Sequence, residues 1–214
     1  MAHSTAIYTI GFAAQALFSA RILIQWILSE RAGRIISPTA YWVCSVAGSW
    51  LLFTYGWLRD DFSIIFGQII SYYIYIWNLD SKGVWRKLHP LLRPLLIATP
   101  IAAFVAIAHD APQFAADFLH NKEVPLWLLL FGSAGQLLFT LRFVYQWLYS
   151  RQHGGSSLPL GFWIMSLTGS SMIVTYGLIR LDPVLILGQA CGMVAYSRNI
   201  VIALRTLKAA RHAE

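Results

Sequence analysis

Two arginines stand in stretches that are otherwise apolar, and each is followed one helical turn later by a glutamine and a tryptophan: Arg21-Ile-Leu-Ile-Gln25-Trp26 and Arg142-Phe-Val-Tyr-Gln146-Trp147. A guanidinium is expensive to place in hydrocarbon, so an intramembrane arginine marks a functional site by default. Its planar fork of donors suits an anion, phosphate above all. Gln25 and Gln146, at i+4, share the arginine's helix face and can donate to the same ligand or hold the guanidinium. The competing reading is an arginine that stretches toward lipid phosphates at the end of its helix. Recurrence of the pattern favours the ligand site. A second polar pair, Asn78 and Asn199, lies in apolar surroundings with Tyr75 and Tyr196 one turn earlier. Such an amide either glues helices together or meets the hydroxyls of a sugar. Arg198 breaks the symmetry, since Trp77 holds the corresponding place, and it makes the second half more basic.

The elements that must position these residues are membrane helices. Of 214 residues, 57% are hydrophobic and 12% charged, and the mean hydropathy is +0.59, far above a soluble domain. Seven stretches are long enough to cross a hydrocarbon core of ~30 Å. They lie near Ile7 to Ser29, Pro38 to Leu58, Phe62 to Leu79, Leu91 to Ala108, Pro125 to Tyr149, Leu158 to Ile179 and Pro183 to Leu204. The connections are too short to fold into a soluble catalytic domain. With the N-terminus outside, the cytoplasmic side receives Arg31, Arg34, Lys82, Arg86, Lys87, Arg93, Arg151, Arg205, Lys208 and Arg211, against Arg59, Lys122 and Arg180 outside. The net charge of +7 is thus explained by loop charge without nucleic acid. The first residues carry no Lys or Arg before the apolar run, which argues against a cleaved signal peptide.

An internal repeat sets the expected architecture. Arg21 and Arg142 lie 121 positions apart, and the same offset relates Gln15 to Gln136, Pro38 to Pro159, Trp42 to Trp163, Ser45 to Ser166, Gly48 to Gly169, Gln68 to Gln189, Tyr75 to Tyr196 and Asn78 to Asn199. The ungapped alignment gives about two dozen identities, which a chance self-comparison does not. The expected fold is all-α and integral to the membrane: seven transmembrane helices as 3+1+3 parallel triple-helix-bundle repeats. The bundles cover 7–79 and 125–204, with a linker at 80–124 that contains a helix at 91–108, and a cytoplasmic tail at 205–214. One intervening helix makes the repeats parallel, related by a pseudo-two-fold axis along the membrane normal, where a symmetric site is expected.

The remaining motifs read structurally. Ser45-x-x-Gly48-Ser49 and Ser166-x-x-Gly169-Ser170 form small-residue packing surfaces, and Gln68 and Gln189 bridge helices. Pro38 and Pro159 open the second helix of each repeat. Trp42 and Trp163, one turn inside, read as interfacial anchors. Arg59-x-Asp61 and Arg180-x-Asp182, on the outer turns, are either local ion pairs or an outer gate. Cys44 and Cys191 read as free thiols without metal or redox spacing. No cofactor and no metal is expected, and no His, Asp or Glu lies deep in a helix as a general acid or base.

Arg-x-x-x-Gln-Trp, then Pro-x-x-x-Trp-x-x-Ser-x-x-Gly-Ser, Tyr-Gly, Arg-x-Asp, Gly-Gln and a final Asn together resemble the lipid A biosynthesis N-terminal domain, in two tandem copies over roughly 15 to 79 and 136 to 200. That family is grouped with the SWEET, semiSWEET and PQ-loop transporters. The resemblance implies a SWEET-like fold, with Asn78 and Asn199 at the sugar-contacting positions. Unlike SWEET proteins, this chain lacks the proline of the first helices and carries arginine where they are apolar. Free sugars are neutral, so the expected substrate is a phosphate-linked glycolipid or sugar, such as a polyprenyl-phosphate sugar, moved by a transporter or flippase-like protein in the bacterial inner membrane. A SWEET-like carrier of free sugar is one alternative. Another is a non-catalytic membrane subunit of a lipid A or glycosyltransferase assembly. The resemblance implies a link to lipid-A-disaccharide synthase without supplying a glycosyltransferase domain, so an enzyme is not expected. The partners are membrane lipid and a membrane glycosyltransferase, with the chain as monomer or homo-oligomer.

Overall fold

A computed structural model describes residues 2–58, 62–108, 112–113, 116, 124–181 and 183–211. Among these residues there are seven α-helices, one 3-10 turn and no strand. The helices are α1 (Ala2–Ala32), α2 (Thr39–Leu58), α3 (Phe62–Ser81), α4 (Leu92–Ile107), α5 (Leu126–Gln152), α6 (Leu160–Arg180) and α7 (Pro183–Arg211), and the 3-10 turn is Trp85–Lys87. Thr9–Ala32 within α1, together with α5 and α6, is long and apolar enough to cross a membrane, and α4 holds a shorter apolar run, Leu92–Ala106. Their polarity is inverted relative to a water-soluble domain. Phe12, Val105, Trp127, Leu137 and Val194 are exposed, while Arg21, Gln25, Asn78, Arg142, Gln146 and Asn199 are buried. Apolar side chains outside and polar groups inside mark a membrane-associated chain.

The helix ends follow from local chemistry. α1 runs into Gly33 at φ 63° and α5 into Gly154 at φ 73°, left-handed positions that only glycine adopts without strain. These two glycines are again 121 positions apart. Pro159 caps the start of α6 in extended conformation, and Pro38 stands immediately before α2. Both prolines therefore punctuate helix starts, where a missing N–H costs nothing. α7 continues to Arg211, where the sequence suggested a tail after Leu204. The run Leu204-Arg205-Thr206-Leu207-Lys208-Ala209-Ala210 consists almost wholly of good helix formers, which explains the extension.

The chain divides into two compact units, Met1–Arg21 with Thr39–Asn121, and Ile22–Pro38 with Lys122–Glu214. One division falls between Asn121 and Lys122, inside the expected linker 80–124, and another crosses α1 between Arg21 and Ile22. The second unit gains Ile22–Pro38 because that segment's polar groups bond there. Gln25 pairs with Asn199, Glu30 with Arg198, and Ser37 Oγ lies 3.0 Å from Ser156 Oγ.

In the first unit α2 packs against α3 and α4. Pro100 interrupts α4, and its ring leaves the carbonyl of Leu96 without the usual helical donor. The Tyr72 hydroxyl donates to that oxygen at 2.8 Å, and Tyr73 donates to the next carbonyl, of Ile97, at 3.1 Å. A proline kink in an apolar helix is thereby satisfied from α3. Tyr72→Phe is expected to destabilise the protein by about 1–3 kcal/mol in a reversible detergent unfolding titration, the cost of orphaning a buried carbonyl. Tyr73→Phe, at the more exposed bond, should cost less. Equal costs would show that the freed carbonyl is not the cause.

Small residues set the helix separations, and they do so twice. A Cβ on Gly48 would lie 3.4 Å from the Ala14 carbonyl oxygen, and one on Gly169 would lie 3.0 Å from that of Gly135, the residue corresponding to Ala14. In the second unit, where α6 packs against both α5 and α7, a Cβ on Gly135 would reach 2.7 Å from Met172 Cβ. The expected bridges across the second and third helices of each repeat are present: Ser49 donates to Gln68 at 3.1 Å and Ser170 to Gln189 at 3.0 Å.

Candidate functional site

Arg21 is buried in the first unit against rings. Its guanidinium carbon lies 4.5 Å from the centroid of Phe18, 5.3 Å from Tyr41 and 5.4 Å from Tyr75. Phe18 stands one turn earlier on α1, so helix geometry alone aligns it with Arg21. Tyr41 and Tyr75 arrive from α2 and α3. Arg21 donates to the Ser45 hydroxyl at 2.8 Å, and Ser45 in turn donates to the Tyr41 carbonyl at 2.6 Å. The serine spends its own proton on the backbone and so presents lone pairs to the cation.

Arg142 is buried in the second unit in the corresponding box. Its guanidinium carbon lies 3.2 Å from the centroid of Phe139, 4.6 Å from Phe143, 5.6 Å from Phe162 and 6.0 Å from Tyr196. Phe139, Phe162 and Tyr196 correspond to Phe18, Tyr41 and Tyr75. Cation–π attraction at desolvated sites reaches about 2 kcal/mol, which offsets only part of the several kcal/mol needed to bury a charge.

The glutamines hold turns. Gln25 Nε2 donates to Ser29 at 2.9 Å and lies 3.4 Å from the Ile36 carbonyl, while the Ile36 N–H donates to Ser29 Oγ at 3.1 Å. Gln146 Nε2 donates to Ser150 at 2.8 Å and to the Ser157 carbonyl at 2.9 Å, and the Ser157 N–H donates to Ser150 Oγ at 3.0 Å. Each clamp closes the glycine turn after its helix, and both clamped turns lie in the second unit. Ser29 and Ser150 are absent from the sequence-derived site, although their identity at the repeat offset was the available signal.

Gln25 has a further partner. It exchanges amide hydrogen bonds with Asn199, 2.9 Å in one direction and 3.0 Å in the other. The second N–H of Asn199 goes to the Ala195 carbonyl at 2.8 Å, so both of its donors are engaged within the protein. Asn78 donates to the Ile74 carbonyl at 2.8 Å, the same backbone contact one repeat earlier.

Arg198 forms an ion pair with Glu30 that is open to the surroundings. Glu30 was not anticipated, since its counterpart in the repeat is Arg151 and the offset offers no signal. Trp42 and Trp163 are corrections: both are fully buried, not interfacial. Each packs 6.1 Å from the tyrosine of its own arginine box, Tyr75 or Tyr196, which draws the indole inward. Of the gate residues, Arg180 is exposed at the end of α6, while Arg59, Asp61 and Asp182 lie outside the described residues. Burial pushes the Lys82 ammonium, just past α3, below its ordinary value. Among the described residues no three His, Cys, Asp or Glu side chains gather as metal ligands.

Comparison with known proteins places this arrangement. Lipid-A-disaccharide synthase of Chlamydia muridarum is 30% identical over 210 residues, which cover 93% of this chain and 34% of that protein. The synthase of Chlamydia trachomatis serovar D is 29% identical over 212 residues, 93% of this chain and 34% of that protein. That of Chlamydia caviae is 28% identical over 205 residues, 92% and 33%. The chain spans about a third of the length of these curated relatives. No solved structure matches it. Residues 10–80 and 131–201 each match the family described as Lipid A Biosynthesis N-terminal domain, two segments set 121 positions apart like the arginines and their boxes. The chain belongs to that family, and it carries the domain twice.

Proposed function

We propose that the protein is a multi-pass transporter or flippase-like protein that binds a phosphate-linked glycolipid or sugar and moves it during lipid A or envelope-glycan assembly. The observation that carries this reading is the buried arginine in a box of rings, built once in each repeat from corresponding positions. A cation at such depth suits phosphate, and the tyrosine and tryptophan faces beside it suit the apolar face of a sugar ring. Arg21 and Arg142 bind phosphate, with Tyr75, Tyr196 and Asn78 toward the sugar, while Asn199, its donors engaged by Gln25 and the Ala195 carbonyl, fixes α7 beside the site. Gln25 and Gln146 keep the adjoining turns in place, Arg198 fastens α1 to α7 through Glu30, and Arg59, Asp61, Arg180 and Asp182 form an outer gate. The proposed fold is the SWEET-like 3+1+3 arrangement of seven spans in a bacterial inner membrane, N-terminus outside and C-terminus cytoplasmic.

A second reading is favoured by one observation: proteins named lipid-A-disaccharide synthase match this chain along only a third of their length. The module is then a non-catalytic membrane subunit that presents the lipid-linked substrate to a glycosyltransferase. Reconstitution into vesicles with labelled polyprenyl-phosphate sugar separates the two. Translocation by the protein alone is the expected result. Binding without translocation, together with co-purification of a glycosyltransferase, points to the subunit. Movement of free sugar, retained without the arginines and lost without Asn78 and Asn199, points to a neutral-sugar carrier.

A further inference from the structure

Trp163 is 1% exposed, and its indole Nε1 has no hydrogen-bond partner among the described residues. Burying a donor unpaired costs about as much as losing a hydrogen bond outright, so most buried polar groups are paired and an exception calls for a reason. The position supplies one. The Trp163 ring lies 4.9 Å from Phe162 and 6.1 Å from Tyr196, the same two rings that face the Arg142 guanidinium at 5.6 Å and 6.0 Å. The orphan donor and the buried cation therefore belong to one cluster, within one compact unit. Gly192 adds to the picture, because a Cβ there would meet the Tyr196 hydroxyl at 2.8 Å. The missing side chain lets that hydroxyl lie close against α7.

We infer that the Trp163 indole N–H is a specificity donor that, with Arg142, binds a phosphate oxygen of the substrate in the second repeat. This rests on the phosphate-binding reading above, which uses only the ring face of the tryptophan, and gives its N–H a role of its own. An indole can only donate, and an ionised phosphate oxygen can only accept. The pair Arg142 and Trp163 thus selects against amines and other donor-only groups. Tyr196 and Phe162 frame the same position with ring faces, which fits a phosphate joined to a sugar.

The test uses Trp163→Phe, which keeps a ring and removes the N–H, and a second variant with benzothienylalanine at position 163, which keeps the bicyclic shape without the donor. Binding to the full-length protein in nanodiscs is measured with a polyprenyl-phosphate hexose, with polyprenyl phosphate and with inorganic phosphate, so that the probes held by the unmodified protein identify the source of the anion. Thermal unfolding without ligand is measured in parallel. The expected result is a loss of about tenfold in affinity for every phosphate probe that the unmodified protein binds, with a melting temperature unchanged or raised in the benzothienylalanine variant. Opposite signs in binding and stability are what a packing role cannot produce. Unchanged affinity in both variants, alongside weakened binding in Arg142→Met, overturns this inference and leaves the phosphate site standing. Loss confined to the hexose-bearing probe overturns it as well, because the N–H then serves the sugar. Failure of the unmodified protein to bind any of the three probes overturns both readings.

Discussion

Arg21→Met and Arg142→Met are each expected to weaken binding of a phosphate-linked ligand by about ten- to a hundredfold, and the double variant to abolish its translocation. A hydrogen bond to a charged group contributes about 1.5–3 kcal/mol, and each 1.4 kcal/mol is tenfold in affinity. Methionine retains the stem volume without the charge, so the boxes of Phe18, Tyr41 and Tyr75 and of Phe139, Phe162 and Tyr196 stay filled, with sulfur against ring edges. Stability should change little, because the desolvation cost that is relieved offsets the ring attraction and the Arg21–Ser45 hydrogen bond that are lost. Arg142→Lys should retain part of the affinity, since it keeps the charge without the planar fork. Vesicle translocation together with equilibrium unfolding checks this. A double variant that is destabilised yet, while folded, binds ligand at full affinity would assign the arginines to the fold instead.

The second large effect falls on the amide pair. Asn199→Leu removes both bonds that Gln25 exchanges with it and leaves a buried glutamine carbonyl unpaired, at a cost of about 2 kcal/mol. Gln25→Leu should cost about 3 kcal/mol, because it also unfastens Ser29 and Ile36 from the turn. Interhelical hydrogen bonds in membranes contribute less than this, about 0.6 kcal/mol on average, because the same groups find partners in the unfolded state, whereas the cost here is that of a polar group orphaned in the folded state. Gln25 and Asn199 are both wholly buried, so the orphaned group has nowhere to turn. The double Leu variant should be less destabilised than the sum of the two singles, since no unmatched amide remains. Strict additivity in the unfolding free energies would rule out the reciprocal pair.

Much of the site was readable before any coordinates. Polar residues in apolar runs, doubled at a constant offset, singled out Arg21, Arg142, Gln25, Gln146, Asn78 and Asn199, and all six are buried. The i, i+3 spacing that sets Phe18 and Phe139 beside the arginines was present in the sequence without being singled out. Other roles were not readable. The tryptophans one turn inside α2 and α6 satisfied the pattern of interfacial anchors, yet packing against Tyr75 and Tyr196 buries them. Glu30 gave no repeat signal and still finds Arg198 across a wide separation in the chain.

By itself the sequence determined the all-helical, membrane-associated character, the duplication and the identity of the buried polar residues, because hydropathy and repetition are local properties of a chain. Only the tertiary structure decided what those residues do to one another. It set rings around Arg21 and Arg142 and tied Gln25 to Asn199. It turned an anticipated anchor, Trp163, into a buried donor packed against Phe162 and Tyr196, and it assigned Ile22–Pro38 to the unit formed by the second repeat. The physical reason is the same in each case. A buried amide, indole or guanidinium must find its partner somewhere in three dimensions, and that partner stands up to 174 positions away along the chain, beyond the reach of any periodicity.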